Sequence, residues 1–181
     1  MALKKNSTFI ATSIDGYIAD KNGGIEWLNA VPNPEHKDLG YLHFMEKIDA
    51  LLMGRLTFEK VLSFGIDWPF DKPVFVWSSQ MKSVPKDLEG KVQLVSGTAA
   101  TVLSEIELRG YSQLYIDGGA TIRSFLAEDR IDQLIISRIP VLLGGGISLF
   151  GELPGMLSFS LVKTEVFLNQ IVQDTYIRIR D

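Results

Sequence analysis

"DALLMGRLTFEKV", residues 49–61, holds an apolar run that stops at Gly54 and Arg55 and then gives way to the start of a helix. A short unbroken apolar run bounded by glycine reads as a buried strand, and a strand feeding a helix through a tight turn is the repeating unit of an α/β fold. The glycine lets the helix N-terminus come close to a ligand, where the first free amides and the helix dipole favour an anion. Arg55 adds a planar cationic fork suited to phosphate. The same residues also read as an ordinary turn followed by a solvated arginine, so the segment gains meaning from its surroundings.

Outward from it, apolar runs alternate with helix-period segments. Strands are predicted near residues 7–14, 50–53, 73–77, 92–95, 113–117, 131–139, 157–168 and 171–180, and helices near 34–47, 56–63, 98–109 and 119–127. Asn33 before Pro34 predicts a helix start, because Asn caps free amides and Pro at the first helical position sacrifices no needed donor. The early strand, helix, strand order implies crossovers and a parallel centre, whereas the last strands follow one another closely and must pair antiparallel. The expectation is an α/β mixed sheet flanked by helices, in one domain spanning residues 1–181.

Composition narrows the function. With 181 residues and 46% hydrophobic content, the chain can build one full-size core. A formal net charge of −4 with no basic run argues against a nucleic-acid partner. The absence of cysteine removes thiol nucleophiles and thiolate metal sites. "MALKKNSTFIATSIDG" has no sustained apolar core, and no window approaches the roughly 20 apolar residues of a membrane span. A soluble, cytoplasmic chain is expected. His36 and His43 stand without a further ligand cluster, so no metal site is expected, and a serine hydrolase lacks both its GxSxG turn and a plausible histidine.

Two other strand ends carry anion-friendly groups. In "YIDGGATIRSFL", residues 115–126, an apolar strand runs into Gly118 and Gly119 and then into helix-start amides at Ala120 and Thr121. A tight turn needing small residues explains those glycines equally well. In "VFVWSSQ", Ser78 and Ser79 leave another strand and can hydrogen-bond a phosphate, or simply form a polar strand exit. Ligands of open α/β sheets gather at such strand ends, and three of them agree here.

In this order the segments resemble the dihydrofolate reductase-like superfamily, most closely the bacterial branch that shares the reductase domain of riboflavin biosynthesis. "IATSIDGYIAD", "DALLMGRLTFE", "WPFDKPVFVWSSQ", "LYIDGGATIRSFL", "IPVLLGGGISLFG" and "DTYIRIR" carry the resemblance across nearly the whole chain. It implies a three-layer fold with an eight-stranded mixed sheet and about four helices, and NADPH as hydride donor. Gly54, Arg55, Leu56 and Thr57 match the segment that receives cofactor phosphates. Trp77, Ser78 and Ser79 match the adenosine side, where the serines and Arg55 would favour a 2'-phosphate. Gly118, Gly119, Ala120, Thr121 and Ile122 match the pyrophosphate turn, Ala11 and Thr12 the approach to the nicotinamide, and Asp15 and Gly16 the loop that covers it.

The resemblance also implies a proton donor. Ungapped alignment of "DLGYLHFMEKIDALLMGR" puts Asp38, 17 residues before Arg55, in the place of the reductase carboxylate. Leu42, one turn on, would pack on a flat substrate ring, and Trp27 resembles the tryptophan at the edge of the substrate site. Asp38 also reads as a solvated aspartate at a helix start. Extra residues between Trp27 and Asp38, including Pro32, Pro34 and His36, reshape the substrate mouth relative to folate reductases. The glycines of "LLGGGISLFG", among them Gly144 and Gly145, offer backbone donors for a ribose phosphate or merely turn the chain. The implied function is an NADPH-dependent reductase of a small pteridine- or pyrimidine-type heterocycle; the alternative is a non-catalytic NADP(H)-binding module that keeps only the cofactor site. Homodimerisation is a family-level expectation, for which "DQLIISRIPVLL" and "LSFSLVKTEVFL" offer apolar strands.

Overall fold

The computed structural model describes residues 5–180. In chain order it contains β1 (Lys5–Ser13), β2 (Tyr17–Ala19), α1 (Tyr41–Met45), β3 (Ala50–Gly54), α2 (Arg55–Leu62), β4 (Val74–Trp77), β5 (Val92–Val95) and α3 (Ala99–Leu108). β6 (Gln113–Asp117), α4 (Gly119–Ala127), β7 (Gln133–Ile139), β8 (Ile147–Ser148), β9 (Phe159–Phe167) and β10 (Ile171–Arg178) follow. Eight strands form one sheet in the order β5-β4-β3-β6-β1-β7-β10-β9, while β2 and β8 make a separate two-stranded ribbon.

Every pairing from β5 through β7 is parallel, and β10 runs antiparallel to both β7 and β9. The mixed sheet expected from the sequence is therefore present. Leu51, Leu52 and Met53 of β3 and Val74, Phe75 and Val76 of β4 are fully buried, as strands covered on both faces must be. On one face, Val102 and Ile106 of α3 and Ile122 and Phe125 of α4 pack on Leu52, Phe75 and Ile116. On the other, Phe44 of α1 and Phe58 of α2 pack on Leu51, Met53, Val76 and Tyr115. Three layers result. No helix among the described residues is long and apolar enough to cross a membrane.

One predicted helix is corrected. Residues 34–40 do not extend α1, because His36, Leu39 and Gly40 all have positive φ, which a right-handed helix does not admit. Asn33 instead closes a turn: its carbonyl oxygen accepts from the Lys37 N–H at 2.9 Å and its amide donates to the Lys37 carbonyl at 2.8 Å. Asn33 therefore caps no helix; its side chain holds a loop.

Candidate functional site

A cleft of about 1140 Å³ opens across the C-terminal ends of the parallel strands β1, β3, β4 and β6. Its walls bring together Ala11, Gly54, Arg55, Leu56, Thr57, Trp77, Ser78, Ser79, Gly118, Gly119, Ala120 and Thr121, twelve residues that the sequence places far apart. β3 and β6 are neighbours in the sheet, but their helices leave to opposite faces, so the N-termini of α2 and α4 meet above the sheet.

Two glycines make that meeting possible. A Cβ at Gly118, where φ is +88°, would lie 2.1 Å from the Thr57 hydroxyl oxygen, and a Cβ at Gly54 would lie 3.0 Å from that of Thr121. Each threonine is the third residue of its helix and packs on the glycine that precedes the other helix. Neither helix has a side chain capping its first turn. The paired amide sets therefore face a common space whose chemistry favours an anion such as a pyrophosphate. The surrounding groups agree: Arg55 and Lys60 line the same cleft. The Arg55 guanidinium donates to both Glu59 carboxylate oxygens, at 2.7 and 2.9 Å, which fixes the fork on the outer side of α2. Ser78 accepts from the N–H groups of Gln80 and Met81, leaving its hydroxyl proton to donate. The Trp77 indole donates to the Gly97 carbonyl at 3.0 Å and lies edge-on to Phe125, so this wall is rigid.

Asp117 forms part of the cleft lining at the end of β6. The residue is half-buried, and burial pushes its pKa up to about 6 against the hydrogen bond its carboxylate accepts from the Gly118 N–H and its interaction with Tyr115. Around it stand Tyr115, whose hydroxyl also reaches the Phe9 carbonyl at 2.9 Å, and Tyr41, whose pKa is raised to about 12 by burial and then by the Asp117 charge. A carboxyl with such an environment holds a proton at mildly acidic pH and is poised to give it up near neutrality. The sequence analysis did not single out this aspartate; its one local signal is a lone carboxylate closing an apolar strand.

Other expected site residues sit elsewhere. Asp38 is exposed, its carboxylate accepting from the Leu42 N–H at 2.8 Å at the start of α1, and it is not part of the cleft lining. Leu42 is 66% exposed on the same surface. The shortened α1 explains both, since its left-handed lead-in turns the first residues outward. Thr12 and Ile122 are buried behind the cleft rather than in its wall. Asp15 accepts from Ser13 Oγ at 2.6 Å and from the N–H groups of Leu143 and Gly144, so it latches the turn after β1 to the glycine loop. Gly16 serves the same latch, its carbonyl accepting from Leu149. Neither Gly144 nor Gly145 is part of the cleft lining; the Gly144 amide donates to Asp15, and the Lys21 stem occupies the space beside Gly145. Trp27 packs against Val31, Ile139 and Ile171, beneath the rim residue Leu28. Among the described residues no cluster suited to a metal ion exists. Sequence reasoning missed Ile18, Lys21, Ile25, Lys60, Val61, Phe64 and Arg123 of the cleft lining, which come from the β2 loop and the flanks of α2 and α4.

Residues 7–173 match the RibD C-terminal domain. The chain belongs to this family. It is 34% identical over 177 residues to the uncharacterized protein YwjB of Bacillus subtilis (strain 168), covering 97% of this chain and 98% of that one. A Shewanella sp. PV-4 protein provisionally assigned to riboflavin biosynthesis superposes with a TM-score of 0.94 at 52% identity, covering 97% of this chain and 99% of its own. Fold likeness extends further. The dihydrofolate reductase of Enterococcus faecalis, complexed with NADP(H) and RAB-propyl, shares the architecture at a TM-score of 0.65 and 17% identity, with 96% of each chain covered. The fold is that of the dihydrofolate reductase-like class, with the family's reductase-type domain.

Proposed function

We propose that the chain is an NADPH-dependent reductase of a small pteridine- or pyrimidine-type heterocycle. The observation that carries this reading is the meeting of two uncapped helix N-termini over a pair of glycines, with a protonatable carboxyl at the floor of the same cleft. The neighbours named for reductases, and the one that holds NADP(H), support it.

NADPH, when bound, supplies hydride from its nicotinamide ring. The chain's own residues do the remaining work. The amides that open α2 and α4 hold the pyrophosphate, with Gly54 and Gly118 admitting it. Arg55, Ser78 and Ser79 face the adenosine end and favour a 2'-phosphate through charge-assisted hydrogen bonds. Ala11 lines the cleft at the end of β1, where its backbone can orient the reacting ring. Asp117 gives its proton to the substrate atom beside the one that receives hydride, which balances the charge that reduction leaves there. Catalysis is thus positioning with one proton donor. The acid role expected for Asp38 passes to Asp117, because only the latter lines the cleft.

A panel of dihydropteridines and ribosylaminopyrimidines, with NADPH consumption followed by absorbance, tests the reading. At least one substrate is expected to be reduced, with Asp117→Asn abolishing turnover while NADPH still binds. NADPH binding without oxidation by any substrate, and no effect of Asp117→Asn, would instead mark a binding module.

A further inference from the structure

β2 covers one end of the cleft. Its middle residue, Ile18, lies directly on Gly119, the first residue of α4: a Cβ added at Gly119 would stand 2.4 Å from Ile18 Cδ1. Ile18 therefore lies over the same helix N-terminus whose free amides favour an anion. A three-residue strand has little hold of its own. It is tied to β8 by antiparallel pairing of Tyr17 with Ser148 and of Ala19 with Ile147, and by the Leu149 N–H, which donates to the Gly16 carbonyl at 3.1 Å. These bonds join two loops to each other. Fully buried Leu149 anchors the far end of β8 in the core, and Arg123 adds a polar link to α4.

Arg123 stands four residues after Gly119, so both lie on one face of the helix. Its guanidinium Nη1 donates to the Ser148 carbonyl of β8 and sits 3.0 Å from where a Gly119 Cβ would be. Its Cδ lies 2.9 Å from the corresponding point at Gly151. Two glycines thus leave the room in which this side chain crosses the helix end, and the same side chain lines the cleft. A carbonyl partner, unlike the Glu59 carboxylate that pairs with Arg55, leaves the guanidinium charge unneutralised.

We propose that Arg123 is a positioning residue: it fastens the β2–β8 ribbon to α4 and so holds Ile18 over the pyrophosphate cradle, making retention of the nucleotide depend on the ribbon. This role rests on the reading of the cleft as an NADPH site. The circuit runs from Gly119 through Ile18, β2, β8 and Arg123 back to α4. An anion on the α4 amides lies beside the guanidinium and fixes its orientation, so nucleotide and ribbon stabilise each other, a coupling that is reciprocal.

NADPH release, followed by stopped-flow displacement, tests this together with amide hydrogen exchange of the nucleotide-free chain. Arg123→Met keeps an unbranched stem and removes every donor. It is expected to release NADPH about 10-fold faster, with association changed by less than about 3-fold. In the free protein its Leu149 amide is expected to exchange about 10-fold faster, while β3 and β6 amides keep the native rate. Arg123→Lys, which restores a donor to Ser148, is expected to recover most of both losses. Ile18→Ala leaves every charge in place and is also expected to speed release; combined with Arg123→Met it should give less than the product of the two effects, because both act through the ribbon. A variant that was merely less well folded would bind in a smaller fraction of molecules, with native release from those that bind. A native chain that binds NADPH while Arg123→Met matches it in release or in Leu149 exchange overturns the positioning role alone, as do fully multiplicative effects of Arg123→Met and Ile18→Ala. A native chain that binds no NADPH overturns the reading of the cleft, and the positioning role with it.

Discussion

Asp117 shows how position converts an ordinary carboxylate into an acid. Half-buried at the end of β6, where it lines the cleft, its carboxyl has a pKa pushed up to about 6, whereas the same residue in an unfolded chain ionises near 3.8. Between those values the folded state binds a proton that the unfolded state has lost, so stability falls as pH rises through the interval and levels off above it. Asp117→Asn removes the ionisation. The variant is expected to be more stable than the native chain at pH 7.5 by about 2–3 kcal/mol, read by urea titration, and to lose this advantage at pH 4. Its turnover is expected to fall about 100-fold or more, and in the native enzyme kcat/KM should decline as pH rises beyond about 6. Asp38→Asn, at an exposed helix start, should leave turnover within about two-fold, since its carboxylate serves a single surface amide. At the opposite end of the cleft, Arg55→Ala is expected to weaken NADPH binding by about 10-fold or more while leaving NADH nearly unchanged, by direct titration of each nucleotide.

At the scale of elements, the site depends on how closely α2 and α4 approach. Thr57 packs on Gly118 and Thr121 on Gly54, so the two turns act as one cradle. Gly118→Ala brings a Cβ into the Thr57 hydroxyl and strains a positive φ; a loss of about 2 kcal/mol or more is expected, with NADPH binding abolished. Adding Thr57→Ala removes the hydroxyl clash and leaves the backbone strain, so the double variant should recover part of the stability, a coupling that thermal or urea unfolding measures directly.

The elements also show what the sequence made legible. Long apolar runs ending in glycine are local signals, and β3, β4, β6 and their helices lie where those runs predict. The false start of α1 had no such signal: nothing in His36 or Leu39 announces a positive φ, which tertiary packing imposes. β2 and β8, of three and two residues, are too short to show a period. The hydrogen bonds of Asp15 to Leu143 and Gly144 could not be read locally, because those partners lie almost 130 residues away. Choosing between Asp38 and Asp117 required knowing which residue lines the cleft, and that is a property of the assembled sheet.

For the whole molecule, the division of labour follows the sheet. The strand ends of β1, β3, β4 and β6 present the cleft, while β7, β10 and β9 extend the sheet away from it. This separation means that disrupting β9 should leave nucleotide binding intact. The cleft itself is tested most directly by thermal unfolding with NADPH or NADH added at equal concentration. At a hundred times the dissociation constant, NADPH is expected to raise the midpoint by about 5–10 °C, with a clearly smaller rise for NADH. Equal shifts with the two nucleotides, or none with either, would contradict the assignment of this cleft to NADPH.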